Sequence, residues 1–141
     1  TMPTKSVTIL LVDDELDIQQ QVAKVLAMQG YRVLEARHAI HALQLCKHYS
    51  GPIHLLLTDV VMPYMNGREL ATAALAVRPQ MRVLYISGHY EEILHSKGID
   101  LLDKATFLQK PFSPSTLFQK IRDVLGHGGL NPRAEDTATL T

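Results

Sequence analysis

Short apolar runs alternate with segments of helical period along this chain, and that alternation limits the folds open to it. Residues 7–12 (VTILLV), 31–35 (YRVLE), 53–58 (IHLLLT), 81–87 (MRVLYIS) and 106–109 (TFLQ) have the length and content of strands. Between them the period lengthens. Ile18, Val22, Val25 and Leu26 fall at i, i+4, i+7 and i+8, with Gly30 placed as a stop. Ala39, Leu43 and Cys46 make a shorter stripe, ended by Ser50, Gly51 and Pro52. After a turn read at MPYMNG (residues 62–67), Leu70, Ala74 and Val77 make a third, stopped by Pro79. Ser113 caps a last helix with Pro114 at its first position, and its stripe is Leu117, Ile121, Val124 and Leu125. Five βα units in alternation predict an α/β fold: an open, doubly wound parallel sheet with helices on both faces. VTILLV suits a strand buried on both faces, whereas the more polar YRVLE belongs near a sheet edge. Residues 88–105 read as a long irregular loop. Residues 126–141 have no apolar period and read as a disordered tail. The expectation is one domain over residues 7–125, with residues 1–6 as an N-terminal extension.

In such folds the working site lies beyond the carboxyl ends of the strands. The polar residues at those ends are therefore informative. The first run ends in Asp13 and Asp14, the third delivers Asp59, the fourth ends in Ser87, and the fifth leads into Lys110. Three carboxylates brought to one edge repel one another unless a cation neutralises them. An oxygen-lined acidic pocket that keeps some waters suits Mg2+, which favours octahedral oxygen coordination. Lys110 adds a positive charge and Ser87 a hydroxyl. Cation, ammonium and hydroxyl together are what the oxygens of a transferred phosphoryl group require. A carboxylate held beside them becomes a nucleophile towards phosphorus. Asp59 reads as a phosphate acceptor.

The segments LLVDDE, LLLTDVVMPYMNG, YISGH and FLQKPF, in that order and at strand ends, together resemble the receiver domain of bacterial two-component response regulators, of the chemotaxis-regulator type. The resemblance runs from about Val7 to Leu125. It implies a flavodoxin-like five-stranded sheet of order 2-1-3-4-5, with Asp59 as the phosphorylated residue. It implies Mg2+ held directly by Asp14, Asp59 and the carbonyl of Val61, and through water by Asp13. Ser87 would bond the phosphoryl group and Lys110 would contact it. A cis bond between Lys110 and Pro111 is implied too, which only X-Pro bonds tolerate cheaply. Ser87 stands where threonine is commoner, and supplies the same donor. Phe107 stands where the family's aromatic switch is often tyrosine; with no hydroxyl, it can switch only by a change of packing. His89, two residues past Ser87, falls where family members tune phosphate lifetime, and is expected to have a modulating role.

Composition narrows the alternatives. Fourteen basic residues balance fourteen acidic ones, so net charge argues for neither direct nucleic-acid binding nor direct membrane contact. Cys46 is the single cysteine, which fits a reducing cytoplasm. No apolar run approaches the roughly 18 residues of a spanning helix. The spacing of His38, His41, Cys46 and His48 matches no closed zinc pattern. A flavodoxin-type carrier needs a Ser/Thr/Gly loop for the FMN phosphate, where Asp13, Asp14 and Glu15 would repel it. A haloacid-dehalogenase-type phosphatase needs a second acid two residues past its nucleophile, and that position is Val61. Hydrolysis without that acid is expected to be slow, as suits a signal rather than an enzyme; the domain would assist only its own phosphorylation and dephosphorylation. The expected donor is a histidine kinase or phosphotransfer domain, and the expected target a downstream protein or an intramolecular domain. FLQKPFSPSTLFQKIRDVL looks most like receivers fused behind hybrid sensor histidine kinases, and Thr1 before Met2 fits excision from such a parent. A stand-alone regulator is the alternative.

Overall fold

The computed structural model describes residues 7–62, 65–88 and 107–126. The described strands are β1 (Thr8–Val12), β2 (Arg32–Ala36), β3 (Leu55–Asp59), β4 (Arg82–Ser87) and β5 (Phe107–Gln109). The described helices are α1 (Leu16–Met28), α2 (Ala39–His48), α3 (Gly67–Val77) and α4 (Pro114–Gly126). The strands form one parallel sheet of order β2-β1-β3-β4-β5, so all carboxyl ends meet at one edge. This is the expected order. β2 lies at the sheet's edge, as its polarity suggested, and only its last residue is buried. The expected extension 1–6, the expected loop past Gly88 and the expected tail past Gly126 lie outside the described residues; Gly126 itself, expected in the tail, is the last residue of α4.

Burial decides the strands. Leucine favours helix over β-branched residues by at most about 0.7 kcal/mol per residue, so LLLTD has no local reason to be extended. Each buried leucine is worth roughly 1.5–3 kcal/mol, and every residue of β1 and β3 is buried. Alternation then divides the core in two. Leu10, Val12, Leu56 and Tyr85 pack with Ala39, Ala42 and Cys46 of α2 and Leu70, Ala71 and Ala74 of α3. Ile9, Leu11, Leu57 and Ile86 pack on the other face with Val22 and Leu26 of α1 and Leu117, Ile121 and Val124 of α4.

Helix ends follow local chemistry with two surprises. Ser113 Oγ accepts from Thr116 N at 3.2 Å and Pro114 opens α4, as expected. The Asn66-Gly67 pair is a helix start, not a free turn: Asn66 Oδ1 accepts from Glu69 N at 2.8 Å while Glu69 Oε1 accepts from Asn66 N at 2.9 Å. Val77, expected on the buried stripe of α3, is its last residue and is 40% exposed.

The stripe of α1 is also turned from its expected position. Gln19, Val22, Ala23 and Leu26 are its buried residues, while Ile18 and Val25 flank them, half-buried. A buried glutamine is tolerable because its Nε2 donates to Ala36 O at 2.7 Å and Leu11 O at 3.4 Å. Ala36 O also accepts from Asp13 N at 3.3 Å. Gln19 thereby ties the ends of β1 and β2 together two residues before the acidic pair. Gln19→Leu leaves this buried carbonyl short of its better donor, and should cost about 1–3 kcal/mol in urea unfolding. Unchanged stability would show that the amide contributes nothing there.

Candidate functional site

The strand ends bring the expected residues to one place. Asp13 is fully buried just past β1, and its Oδ1 accepts from Glu15 N at 2.9 Å. Asp14, beside it, is exposed. Asp59 closes β3 at 6% exposure, and its Oδ1 accepts from Val61 N at 3.3 Å. Ser87 is fully buried at the end of β4, and its carbonyl accepts from Lys110 N at 2.9 Å. The peptide between Lys110 and Pro111 is cis. Lys110 Nζ reaches Asp13 Oδ2 at 3.2 Å, Glu15 Oε1 at 3.3 Å and Asp59 Oδ2 at 3.5 Å. Phe107 is buried on the α2/α3 face, paired in register with Tyr85. His89 lies outside the described residues.

Two contributors escaped the sequence reading. The sequence reading gives Glu15 no place in the site, yet it shares the Lys110 ammonium. Gly67 looked like a turn residue, yet it is a close-approach residue: its N–H donates to Val60 O at 2.8 Å, and a Cβ there would strike the Asp59 carbonyl oxygen and lie 3.0 Å from Val60 Cα. A glycine directly after a capping residue and eight positions past a strand-end acid was the available signal for it.

The pocket is negative and partly buried. Burial pushes the Asp59 carboxyl up to about 6, helped by the charges of Asp13 and Asp14, although Lys110 opposes the shift. Burial also raises Asp13, against its bond from Glu15 N and the charge of Lys110. Burial alone would lower Lys110, but the charges of Asp59 and Asp13 outweigh it and hold the ammonium above the ordinary lysine value. Carboxylate oxygens of Asp13, Asp14 and Asp59 lie within 4.8 Å of one another. Two of them, Asp14 and Asp59, border a cavity of about 290 Å³ lined also by Glu15, Val61, Gly88 and Lys110. An all-oxygen donor set with uncompensated charge fits a small hard cation such as Mg2+ and not zinc. Among the described residues the histidines of α2 join no such cluster.

The sequence matches the response regulator receiver domain family over residues 9–122. The chain belongs to that family. It is 31% identical over 120 residues to the sensor kinase CckA of Brucella abortus, spanning 85% of this chain but 13% of that protein. It is 32% identical over 117 residues to the receiver protein CpdR of the same organism, spanning 83% of this chain and 95% of CpdR. Among solved structures, the receiver domain of the hybrid histidine kinase CckA superposes with a TM-score of 0.69 at 32% identity, covering 84% of this chain and 98% of that one. The receiver fold and its role as a phosphoacceptor in two-component signalling follow from membership. Among the described residues no helix is long and apolar enough to cross a membrane.

The charge balance of this receiver domain makes stability depend on pH. The folded-state value of Asp59, about 6, lies above its ordinary 3.8, so the folded chain holds that proton more tightly than the unfolded chain. The contribution of this group to stability is then fullest below about pH 4, falls as pH rises towards about 6, and is lower by roughly 2–3 kcal/mol above it. Asp59→Asn, in buffer stripped of divalent cations, should be more stable than the native protein at about pH 7.5, and the gain should shrink towards about pH 4. Urea melts across that range measure it, and a gain that grows on acidification would contradict the assignment.

Proposed function

We propose that Asp59 takes a phosphoryl group from a phosphohistidine on a histidine kinase or phosphotransfer domain. The observation that carries this reading is the Asp59 carboxylate itself: buried at a strand end, 3.5 Å from the Lys110 ammonium, and opening onto the cavity. A carboxylate oxygen of Asp59 attacks phosphorus, the P–N bond to the donor imidazole breaks, and that nitrogen keeps the electron pair. Asp14, Asp59 and the Val61 carbonyl would hold Mg2+ directly, with Asp13 acting through water. When bound, the ion keeps Asp59 ionised near neutral pH and neutralises charge on the phosphoryl oxygens. Lys110 would turn one N–H to a phosphoryl oxygen, and the Ser87 hydroxyl would donate to another. His89 would modulate how long the phosphoryl group lasts. The domain turns over no external substrate in this reading; it assists its own phosphorylation and dephosphorylation.

Residues 7–125 would form the working unit in a cytoplasmic setting, with residues 1–6 and 126–141 as flanks. Similarity to a receiver described as part of a hybrid histidine kinase supports a parent of that kind. CpdR, matched over 95% of its length, keeps a stand-alone regulator as the second reading. The open reading frame around this chain separates them, since a kinase core upstream belongs only to the first.

Acetyl phosphate with Mg2+ should add one phosphoryl group, read by intact mass. Asp59→Asn should take none, and Asp14→Ala or chelation should slow the reaction by at least about tenfold. An adduct that persists in Asp59→Asn removes Asp59 as acceptor.

Phosphorylation is proposed to become a signal through Ser87 and Phe107. Ser87 ends β4, two residues beyond Tyr85, which pairs with Phe107. Drawing the hydroxyl towards a phosphoryl group should change the packing that Phe107 meets, and with it the surface offered to a downstream protein or linked domain. Beryllofluoride with Mg2+ should shift the Phe107 ring resonances in the native protein and leave them in place in Ser87→Ala. Equal shifts in both proteins would make Phe107 plain core.

A further inference from the structure

Glu15 breaks a local rule. It occupies the N-cap position of α1, where Ser, Thr, Asp or Asn would accept a hydrogen bond from the first turn, yet its side chain makes no capping bond. The starts of α2, α3 and α4 each have one, from His38, Asn66 and Ser113. The Glu15 carboxylate instead meets Lys110, a residue 95 positions away. Departures of this kind concentrate at working sites.

Lys110 has three N–H donors, and three carboxylates surround them: Asp13 at 3.2 Å, Glu15 at 3.3 Å and Asp59 at 3.5 Å. A phosphoryl group arriving on Asp59 therefore needs a donor that is already engaged. Asp13 is almost fully buried and could not be released without stranding its charge, whereas the Glu15 side chain is 60% exposed, so water replaces whatever it gives up. We propose that Glu15 is a positioning residue that holds the Lys110 ammonium over the pocket at rest and competes with the phosphoryl group for it, which lowers the domain's hold on that group. This rests on the reading of Asp59 as the phosphoacceptor.

Because Glu15 also lines the cavity, its charge acts with opposite signs on the two ligands. It attracts the cation and repels the phosphoryl group. Glu15→Gln should loosen Mg2+ and tighten beryllofluoride at saturating Mg2+. For a charge so exposed each shift should be roughly two- to fivefold, shrinking as salt rises. Glu15→Ser removes the same charge and supplies the missing cap, so it should show both shifts together with a higher melting temperature. Calorimetric titrations of Mg2+ alone, and then of beryllofluoride with Mg2+ saturating, measure these on the native protein and both variants. Opposite shifts in both variants support the role. Unchanged affinities, or tighter beryllofluoride binding in Glu15→Ser alone, overturn it and leave Glu15 a poor cap. A native protein that binds no beryllofluoride fails at an earlier point, by overturning the Asp59 reading before the variants are compared.

Discussion

One ammonium facing three carboxylates is the constraint that sets the character of this sheet edge. Lys110 lies within 3.5 Å of Asp13, Glu15 and Asp59, and two of those acids are buried. A single positive charge cannot neutralise them, so the sheet's carboxyl edge carries negative charge that burial makes costly. The apolar faces on either side of the sheet offset that cost. The site is therefore the part of the fold that its surroundings hold together, and not a contributor to their stability. A ligand that supplies positive charge relieves it, which links cation binding to folding by mass action.

The same imbalance suits a phosphoacceptor domain. A fully neutralised site would have no affinity for a cation, and one lined with several ammonium groups would hold a phosphoryl group too firmly to reset. In the proposed reading the Lys110 ammonium would exchange partners over a backbone that is tied down: Lys110 N is bonded to Ser87 O, and Asp13 N to Ala36 O. Side-chain partners can exchange without disturbing the strand register.

Much of this was legible in the sequence for a physical reason. Strand runs and the acids that end them are local patterns, and a parallel sheet carries every strand end to one edge. Asp13, Asp14, Asp59, Ser87 and Lys110 could be placed together without knowing any side-chain direction. What escaped depended on direction. The α1 stripe turned because Gln19 finds two carbonyls at the ends of β1 and β2, partners invisible until the strands are paired. Glu15 was missed because its partner lies 95 residues away. Asn66 and Gly67 looked like a turn because the pair commonly is one; the Glu69 carboxylate that completes the capping box lay in plain sequence and was the signal to use.

The close approach of Gly67 to the Asp59 backbone bears on how such a chain can drift over generations. Every amino acid other than glycine carries a Cβ, and at position 67 that atom would overlap the carbonyl of the residue that defines the site. The position has no neutral neighbour, whatever the chemistry of the replacement. Glu15 is the opposite case, with an exposed side chain whose loss opens no cavity. Two residues within one short reach of Asp59 thus differ sharply in their tolerance of substitution. The strict one fixes where the carboxylate stands, and the permissive one leaves room for variation in the charge around it.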